Sequence, residues 1–384
     1  MNIVYCTDTI CYPGGIQRAT IAKANALAAI KDNRVWIVVT DNQQPFSVLP
    51  LSENVSLVDL GIEYYVDDWK SRWNVISGII IKRRKHKRAL RQLLNDINPD
   101  IVISTGTSEK YFLPHLRVGS SPVIIREIHF SKDYRQRAAK NWFEKILAVI
   151  GNFADYRLGI WNYDHIVLLT KEDKSTHWRP NDKLSVIPNP APIGPFSPTL
   201  LQNKTAIAVG RLVNQKNFES LIRAWNTVYQ IHPDWRLDIW GEGALRTSLE
   251  ELIHHLNLET VVSLKGYTDD IESKYASASL LVCSSLFEGL PLMMIEAMCS
   301  GLPIVSYDCP CGPKDLIKER ENGFLVPIGN ETLLADRICQ LIEDEELRRK
   351  MGAAALERAK DFSLENIIPK WTSLFEDLTR HNNR

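Results

Sequence analysis

Short apolar runs alternate with longer amphipathic stretches along the first half of the chain. The runs have the length and the branched residues that are typical of strands buried on both faces of a sheet. Between them, apolar residues at helical spacing predict helices over Ile16–Ile30 and Tyr134–Ile150. This alternation is typical of a mostly parallel sheet with helices on both faces. The predicted strands are Ile3–Tyr5, Val35–Val39, Ile101–Ser104, Val123–Ile125 and Ile166–Leu169.

The same alternation starts again after a proline-rich stretch. Five prolines fall from Pro188 to Pro198, and proline at this density disfavours both helices and central strands. Beyond this stretch, the predicted strands are Thr205–Val209, Leu237–Trp240, Val261–Leu264, Leu280–Cys283 and Pro303–Ser306. The predicted helices are Phe218–Tyr229, Ala244–His255, Leu292–Cys299 and Thr332–Ile342.

These patterns predict an α/β protein of two Rossmann-like, doubly wound domains, because 384 residues are enough for two cores. Residues 1–187 form the predicted N-terminal domain, residues 188–198 the linker and residues 199–362 the C-terminal domain. Residues 363–384 are predicted to form a helix that crosses back to the N-terminal domain. Two such domains facing a central cleft would bind a ligand at the carboxyl ends of both sheets.

Composition favours a soluble protein, with 45% hydrophobic and 24% charged residues. The first residues have no basic and apolar leader, and no apolar run is long enough to cross a bilayer. The seven cysteines are scattered, which favours reduced thiols over a disulfide framework. Cys309 and Cys311 lack a second Cys or His cluster, so a zinc site is not expected. Together these features predict a cytoplasmic protein.

The most informative segment follows the strand predicted at Leu280–Cys283. Glu288 stands in a loop, and free backbone amides of Gly289 and Leu290 are expected before the next helix. Unpaired amides and the helix dipole attract a phosphate group. Glu296 follows Glu288 by eight positions, so a carboxylate on each side of the phosphate could accept hydrogen bonds from sugar hydroxyls. Alternatively, Glu288 caps the helix and Glu296 is an ordinary solvated residue.

Two cations follow the strand predicted at Thr205–Val209. Gly210 lets the backbone turn, and Arg211 and Lys216 then lie in a loop before the next helix. At the mouth of a sheet, two cations can neutralise a diphosphate without a metal ion. They could instead be ordinary surface cations of a loop.

Three glycines and a histidine give weaker signals. Gly14 and Gly15 lie between the first strand and the first helix, where the backbone can approach a phosphate or a sugar. Gly241 follows a strand, but Arg246 occupies the third glycine position of a dinucleotide fingerprint, so NAD is not expected. His129 follows a predicted strand and could reach the floor of the cleft, although such a histidine is often merely packed.

In their order and spacing these segments resemble glycosyltransferase family 4, whose members have the GT-B fold. The resemblance covers the whole chain and is strongest from Thr205 to Pro327, through VGRL, QKN, DIWGEG, LKGYTDD and FEGLPLMMIEAM. It implies a retaining enzyme that transfers a sugar from a nucleotide-sugar without a metal or any other cofactor. The chain also lacks the Asp-x-Asp motif by which many sugar transferases bind manganese.

The resemblance also implies roles for individual residues. Glu288 is similar to the family glutamate that contacts the donor hexose, and Glu296 to the glutamate that holds the ribose. Arg211 and Lys216 match the cations that bind the diphosphate. His129 resembles a histidine that contacts the donor near its anomeric centre, so Glu288 and His129 are the catalytic candidates. The remaining donor-binding candidates are Gly14, Gly15, Gly241, Tyr267 near the nucleobase, Gly289 and Leu290.

Two departures from the family pattern affect these expectations. The segment after the domain crossing is Ile187-PNPAP, which lacks the family's glycine and aspartate, so no contact is assigned to it. Asp308-CPCGP resembles a variant found in transferases that build bacterial capsules and O-antigens. That variant favours a UDP-hexose or a UDP-N-acetylhexosamine as donor.

The chain has no net charge, yet residues 1–190 carry 26 Lys and Arg against 19 Asp and Glu. Between Trp69 and Asn95 there are nine Lys and Arg and no acidic residue, with apolar residues among them. Such a helix suits the surface of an anionic membrane, and its membrane-binding candidates are Arg83, Arg84, Lys85 and Arg88. A merely solvated helix face is the alternative. Nucleic acid is not expected as a partner, because the other half is acidic and no nucleic-acid module is recognisable.

The sequence therefore predicts a hexosyltransferase of cell-surface polysaccharide biosynthesis. Its expected partners are a nucleotide-sugar, a saccharide or lipid-linked saccharide acceptor, and the inner face of the cytoplasmic membrane. Two alternatives remain open, a non-catalytic protein that binds nucleotide-sugars or glycans, and a Rossmann oxidoreductase or epimerase. The missing dinucleotide fingerprint disfavours the second of them.

Overall fold

The computed structural model of the protein describes residues 1–12, 14–41, 50–64, 72–119, 121–139, 141–191 and 196–382. Within them the chain folds into two compact units. The first comprises Met1–Leu169, Trp178–Pro190 and Leu364–Arg384, and the second Thr170–His177 and Ala191–Ser363. Residues 192–195 of the predicted linker lie outside the described residues.

Parallel strands form one sheet in each unit. The strands of the first unit are β1 (Asn2–Cys6), β2 (Arg34–Val39), β3 (Val55–Asp59), β4 (Ile101–Ser104), β5 (Val123–Ile128), β6 (His165–Leu168) and β7 (Leu184–Val186). Those of the second unit are β8 (Thr205–Val209), β9 (Arg236–Trp240), β10 (Val262–Gly266), β11 (Leu280–Cys283), β12 (Ile304–Tyr307) and β13 (Gly323–Val326).

The strand orders are those of doubly wound sheets. The first sheet has the order β3-β2-β1-β4-β5-β6-β7, and the second has the order β10-β9-β8-β11-β12-β13. In each sheet the order reverses beside the first strand of the unit, β1 or β8, which is where such folds bind ligands. The predicted fold class, α/β with two Rossmann-like domains, is confirmed.

Helices cover the faces of both sheets. In chain order they are α1 (Gly15–Ala28), α2 (Arg72–Ile97), α3 (Tyr134–Ala138), α4 (Trp142–Phe153), α5 (Lys171–His177), α6 (Phe218–Ile231), α7 (Arg246–His255), α8 (Ile271–Ala276), α9 (Leu292–Cys299), α10 (Pro313–Leu316), α11 (Glu331–Glu343), α12 (Glu345–Ala359) and α13 (Leu364–Asn382). Among the helices within the described residues, none combines the length and the apolar composition that crossing a bilayer demands.

The central strands are buried on both faces, which explains their nearly continuous Val, Ile and Leu. Every residue of β4, β6, β11 and β12 is buried. In the first unit, α13 completes the core, because Trp371 and Phe375 pack fully buried with Ile3 and Ile21.

The helix predicted over Tyr134–Ile150 is wrong, because the structure has two helices there, α3 and α4. Ala139 is extended after α3, and the side chain of Asn141 accepts a hydrogen bond from the backbone amide of Glu144. This N-cap starts a new helix, so the apolar spacing continues across a break in the backbone.

One segment groups differently from the predicted boundaries. Residues 170–177 precede the linker, but α5 belongs to the second unit. The carboxylate of Asp315 accepts hydrogen bonds from the amides of Lys171 and Glu172 at 2.7 and 3.0 Å. The carboxylate of Glu172 in turn accepts one from the amide of Gly312 at 3.2 Å. These polar contacts hold α5 to α10, and apolar spacing gives no sign of them.

Candidate functional site

Glu288 and Lys216 form an ion pair in the second unit. Glu288 lies in the loop between β11 and α9, and its carboxylate accepts a hydrogen bond from the ammonium group of Lys216 at 2.6 Å. Both side chains are largely buried. Burial is the largest single influence on the pKa of Lys216 and lowers it, but the charge and hydrogen bond of Glu288, together with the neighbouring Cys283 and Cys309, raise the pKa overall. Lys216 is therefore held in its charged form. Pro291, and not Glu288, is the N-cap residue of α9.

A neighbouring loop fixes the backbone on either side of this carboxylate. The amide of Glu288 donates to the carbonyl of Pro310 at 3.0 Å, and the amide of Cys311 donates to the carbonyl of Glu288 at 3.2 Å. Gly312 has a φ of 104°, and a Cβ there would lie 2.6 Å from the carbonyl oxygen of Gly289. The DCPCGP segment therefore positions Glu288, and its glycine is required for this close approach.

The start of α9 presents unpaired backbone donors. Pro291 is the N-cap residue and gives no side-chain cap. Within the described residues, no acceptor is found for the amides of Gly289 and Leu290. Because these donors stand at the positive end of a helix dipole, the position suits an anion.

Glu296 is not the solvated helix residue of the alternative reading. It lies inside α9, only 4% exposed, and its Oε2 accepts a hydrogen bond from the hydroxyl of Tyr275 at 2.9 Å. A buried carboxylate held by a tyrosine has a fixed direction, which favours a binding role.

The cation loop after β8 is bound to the Glu288 loop. Gln215 donates from Nε2 to the carbonyl of Phe287 at 2.9 Å, and Ser284 donates from Oγ to the carbonyl of Lys216 at 2.8 Å. Arg211 is exposed, and its guanidinium has no hydrogen-bond or ion-pair partner within the described residues. The structure therefore brings Lys216 to Glu288 and leaves Arg211 at the surface of the same loop.

Gly241 lies at the edge of this site, directly after β9. Its φ is 140°, and a Cβ at this position would lie 1.9 Å from the carbonyl oxygen of Gly210. Only glycine therefore allows the end of β9 to pack on the loop that carries Arg211 and Lys216. Tyr267 follows β10 with an exposed ring, and its hydroxyl donates to Asp269 at 2.6 Å.

In the first unit, Gly14 and Gly15 lie at the start of α1. Gly14 is the N-cap residue with an extended backbone, and Gly15 is the first residue of the helix. The carboxyl ends of β1, β4 and β5 and this helix start surround a pocket of about 140 Å³. The residues that line the pocket include Thr7, Asp8, Ile16, Gln17, Thr105, Thr107, Lys110, Tyr111, Arg126, His129, Phe130, Tyr134, Arg135 and Asp155.

His129 lines this pocket and belongs to a buried polar group. Its Nε2 lies 3.6 Å from Oε1 of Glu127, and its Nδ1 lies 3.5 Å from Nδ2 of Asn189. Glu127 also pairs with Lys23, and both of those side chains are fully buried. Burial lowers the pKa of His129 to about 4, against the opposing charge of Glu127. His129 is therefore neutral near neutral pH and can hydrogen-bond a ligand without bringing a charge.

The sequence pattern did not identify Lys23 and Glu127. Lys23 stands in α1 between Ala22 and Ala24, on the helix face that is buried. The available signal for a buried polar group was the lysine itself, which stands among small residues on the buried face of α1.

A second polar group on the pocket wall was also missed. The carboxylate of Asp155 pairs with Lys110 and with Arg135, each at 2.8 Å, and accepts a hydrogen bond from the hydroxyl of Tyr111. Phe130 and Tyr134 stack nearby with their ring centroids 4.9 Å apart. Cations beside aromatic rings suit a polar ligand that also has apolar faces, such as a saccharide.

The basic candidates of α2 are all exposed: Arg83, Arg84, Lys85 and Arg88. The ammonium group of Lys85 donates to the carbonyl of Gly61 at 2.6 Å, and Arg83 lies over the ring of Tyr111 at 5.3 Å. Trp69 and Lys70, at the start of the basic stretch, lie outside the described residues.

Among the residues that the structure describes, one group of side chains could hold a metal ion. The ligand atoms of Asp173, His177 and Cys311 lie within 4.8 Å of one another. His177 and Asp173 are already hydrogen-bonded at 2.8 Å, and the thiol of Cys311 donates to Asp173 at 3.8 Å. This mutual bonding accounts for the proximity without an ion. Cys309 is buried beside this group, and all seven cysteines are free thiols.

Comparison with known proteins gives concordant results. Residues 196–358 match the family described as glycosyl transferases group 1. An uncharacterized glycosyltransferase of Haemophilus influenzae is 29% identical over 365 residues, which cover 94% of this chain and 96% of that protein. A Campylobacter jejuni protein is 25% identical over 370 residues, which cover 95% of this chain and 96% of that protein. Its name is GalNAc-alpha-(1->4)-GalNAc-alpha-(1->3)-diNAcBac-PP-undecaprenol alpha-1,4-N-acetyl-D-galactosaminyltransferase.

Among solved structures, a variant of S. aureus TarM in complex with Fondaparinux, alpha-GlcNAc-glycerol and UDP has a similar fold. The TM-score is 0.78 at 17% identity, and the match covers 97% of this chain and 99% of that chain. At this identity the likeness concerns the fold.

Proposed function

We propose that this chain transfers a hexose or an N-acetylhexosamine from a UDP-sugar to a lipid-linked or polymeric saccharide. The match of residues 196–358 to the group 1 glycosyl transferases and the GT-B fold support this proposal. The observation that carries this proposal is the Lys216–Glu288 ion pair, which directly precedes the unpaired amides of Gly289 and Leu290. A cation, two free donors and an oriented carboxylate are the groups that a sugar diphosphate requires. The product belongs to a cell-surface polysaccharide.

In this proposal the donor binds along the loops of the second unit. The diphosphate accepts hydrogen bonds from the start of α9 and from Lys216, and the exposed guanidinium of Arg211 covers it from the solvent side. Glu296 accepts hydrogen bonds from the ribose hydroxyls, and the ring of Tyr267 contacts the nucleobase. The UDP in the TarM complex supports a uracil nucleotide.

The proposed reaction retains the configuration at the anomeric carbon. The bond between that carbon and the diphosphate oxygen breaks, and a bond to the acceptor oxygen forms on the same face of the sugar. The acceptor proton passes to an oxygen of the leaving phosphate. Lys216 and the amides of α9 stabilise the developing charge, so this step requires no metal ion. The alpha linkage named for the Campylobacter jejuni relative supports retention, because common UDP-hexoses are alpha-linked.

Glu288 orients the sugar in this scheme rather than attacking it. Its carboxylate is already bound to Lys216 at 2.6 Å, which weakens it as a nucleophile and fixes its position. Hydrogen bonds from a sugar hydroxyl to this carboxylate hold the anomeric carbon above the phosphate.

The acceptor is proposed to bind in the pocket of the first unit. Lys110 and Arg135 provide positive charge there, and Phe130 and Tyr134 provide apolar faces. Neutral His129 provides a hydrogen-bonding group without charge. The acceptor in the name of the Campylobacter jejuni relative carries a diphospho-undecaprenol group, which supports a lipid-linked saccharide.

We also propose that the protein binds the inner face of the cytoplasmic membrane. The exposed cations of α2 support this proposal, because each cation near an anionic surface contributes about 1 kcal/mol. A lipid-linked acceptor would be reached at that surface.

The test is a transfer assay with radiolabelled UDP- and GDP-sugars and membrane lipid extract. We expect label from one or more UDP-sugars in the lipid or polymer fraction, and none with Glu288→Ala. Glu321→Ala is the matched control, because Glu321 is an exposed carboxylate that also pairs with a lysine. Binding of UDP-sugars without transfer to any acceptor would instead support the non-catalytic alternative.

A further inference from the structure

Helix α4 carries a large cluster of exposed apolar side chains. Seven of its twelve residues are large, apolar and exposed. Trp142 is 74% exposed, and the other six are between 47% and 59% exposed. These six are Phe143, Ile146, Leu147, Val149, Ile150 and Phe153. A water-soluble surface rarely holds so many such side chains together, so a second apolar phase is expected to cover them.

The side of α4 that faces the protein is small or polar. Ala148 is the one buried residue of the helix, and Glu144, Gly151 and Asn152 are partly buried at helical spacing around it. A Cβ at Gly151 would lie 2.9 Å from Nη1 of Arg135, so the guanidinium packs against the glycine. Surface helices of globular proteins have the opposite arrangement, with the apolar side inward.

The basic stretch of α2 lies close to this helix. Arg83 of α2 lies over the ring of Tyr111, and the hydroxyl of Tyr111 donates to Asp155. Asp155 belongs to the helical turn that directly continues α4, and it pairs with Arg135. Exposed cations and an exposed apolar helix are therefore neighbours in the first unit.

We propose that α4 inserts its apolar side into an anionic phospholipid bilayer, at the boundary between headgroups and acyl chains. The cations of α2 are complementary to the headgroups. The seven exposed apolar side chains occupy one face of α4, an arc of roughly 160° at the helical 100° per residue, and such a face suits the boundary between headgroups and acyl chains. The proposal extends the proposed function, because Tyr111, Arg135 and Asp155 also line the pocket assigned to the acceptor. Insertion of α4 would bring that pocket to the membrane surface.

A second copy of the chain fits this surface less well. In a symmetric dimer the patch meets its own copy, so the interface would bring together the α2 cations of both copies without adding an anionic group. An anionic bilayer offers opposite charge and an apolar interior together.

Vesicle sedimentation tests the proposal with three variants. The α4 variant combines Phe143→Gln, Leu147→Gln and Ile150→Gln. The α2 variant combines Arg83→Ser, Arg84→Ser, Lys85→Ser and Arg88→Ser. The control combines Leu200→Gln, Ile231→Gln and Ile328→Gln, which are exposed apolar residues of the second unit. Vesicles contain phosphatidylcholine alone or equal parts of phosphatidylcholine and phosphatidylglycerol, in low and in high salt.

We expect the wild type and the control to bind anionic vesicles in low salt and to retain a fraction of this binding in high salt. The α4 variant should lose the salt-resistant binding, and its partition coefficient should be lower by at least about tenfold. The α2 variant should lose the salt-dependent binding. Unchanged binding of the α4 variant, or an equal loss in the control, would overturn the proposal. So would a wild type that binds no vesicles and forms a dimer that the α4 variant abolishes.

A second measurement does not depend on the folding of the α4 variant. Nitroxide-labelled lipids should quench a component of the wild-type tryptophan fluorescence that is missing in Trp142→Phe. Equal quenching in both proteins would contradict insertion. UDP binding without lipid is measured in parallel, because its failure would refute the proposed donor site and leave the lipid result unaffected.

Discussion

Lys216 illustrates how one residue of the candidate site is tuned by its neighbours. Burial favours the neutral amine, whereas the carboxylate of Glu288 at 2.6 Å favours the ammonium ion and raises the pKa. Sequence pattern placed both residues in loops after buried strands, and no pattern revealed that they bind each other. That contact depends on the Gln215 and Ser284 hydrogen bonds, which join two loops more than 60 positions apart.

Replacing Lys216 by Met tests the pair at the residue level. UDP binding should weaken by at least about tenfold, because a charge-assisted hydrogen bond to phosphate is lost. The free energy of unfolding should fall by about 1–3 kcal/mol, because Glu288 is left largely buried without its partner. Calorimetry with UDP and urea unfolding measure the two effects.

The matched control for this variant is Lys318→Met. Lys318 forms an exposed pair with Glu321, so neither UDP binding nor stability should change measurably. If the Lys216 variant bound UDP as tightly as the wild type does, Lys216 would not belong to the donor site.

The buried histidines predict how stability depends on pH. Burial lowers the pKa of His129 and of His86 to about 4, against the usual 6.5. Between these values the unfolded chain binds protons that the folded chain does not, so the free energy of unfolding falls as the pH falls from 6.5 to 4. Each histidine should contribute roughly 3 kcal/mol to this loss at pH 4.

The variant His129→Asn measures how much one histidine contributes to the pH dependence of stability. In urea unfolding, the difference in stability between pH 7 and pH 4.5 should shrink by roughly 2–3 kcal/mol relative to the wild type. His86→Asn should act similarly, since His86 packs between the rings of Tyr64 and Phe112. A pH dependence identical to that of the wild type would show that His129 titrates normally in the folded state.

At the level of elements, the strands with long apolar runs could be predicted and the marginal ones could not. β4 and β11 are fully buried, and their runs of Val, Ile and Leu predict a strand. β3 was missed because it is an edge strand with mostly exposed residues, and β7 because it has only three residues. Periodicity joined α3 to α4 because it does not register the N-cap at Asn141. It also does not reveal which side of α4 faces the protein, because that depends on tertiary contacts.

The packing of α13 in the first unit predicts that a variant of this helix destabilises the first unit and not the second. Trp371 is fully buried in the core of the first unit, with Lys23 over its ring at 5.0 Å. Trp371→Ala should cost about 3–5 kcal/mol by leaving a cavity there. In native-state hydrogen exchange, amides of α1 should lose protection and amides of α6 should keep theirs.

The matched control for α13 is Trp225→Ala. Trp225 is fully buried in the core of the second unit, so this variant should give the opposite pattern. Equal loss of protection in α1 and α6 for either variant would contradict the assignment of α13 to the first unit.

At the level of the whole molecule, charge and chemistry are divided between the units. Residues 1–190 carry an excess of seven positive charges, and the remainder carries the matching negative excess. The loop positions of Glu288, Lys216 and Arg211 in the second unit could be predicted because these residues follow strand ends of a doubly wound sheet. The Lys23–Glu127–His129 group could not be predicted. In the sequence, an ionisable residue on a buried face only interrupts the apolar pattern, because its partner is not visible there.

The central claim is that a nucleoside diphosphate binds at the start of α9 beside Lys216. A crystal structure of the protein with UDP tests it most directly. We predict phosphate oxygens within hydrogen-bonding distance of the amides of Gly289 and Leu290 and of the Lys216 ammonium group, with the ribose hydroxyls on Glu296. Well-defined density for UDP that contacts none of these four residues would contradict the account.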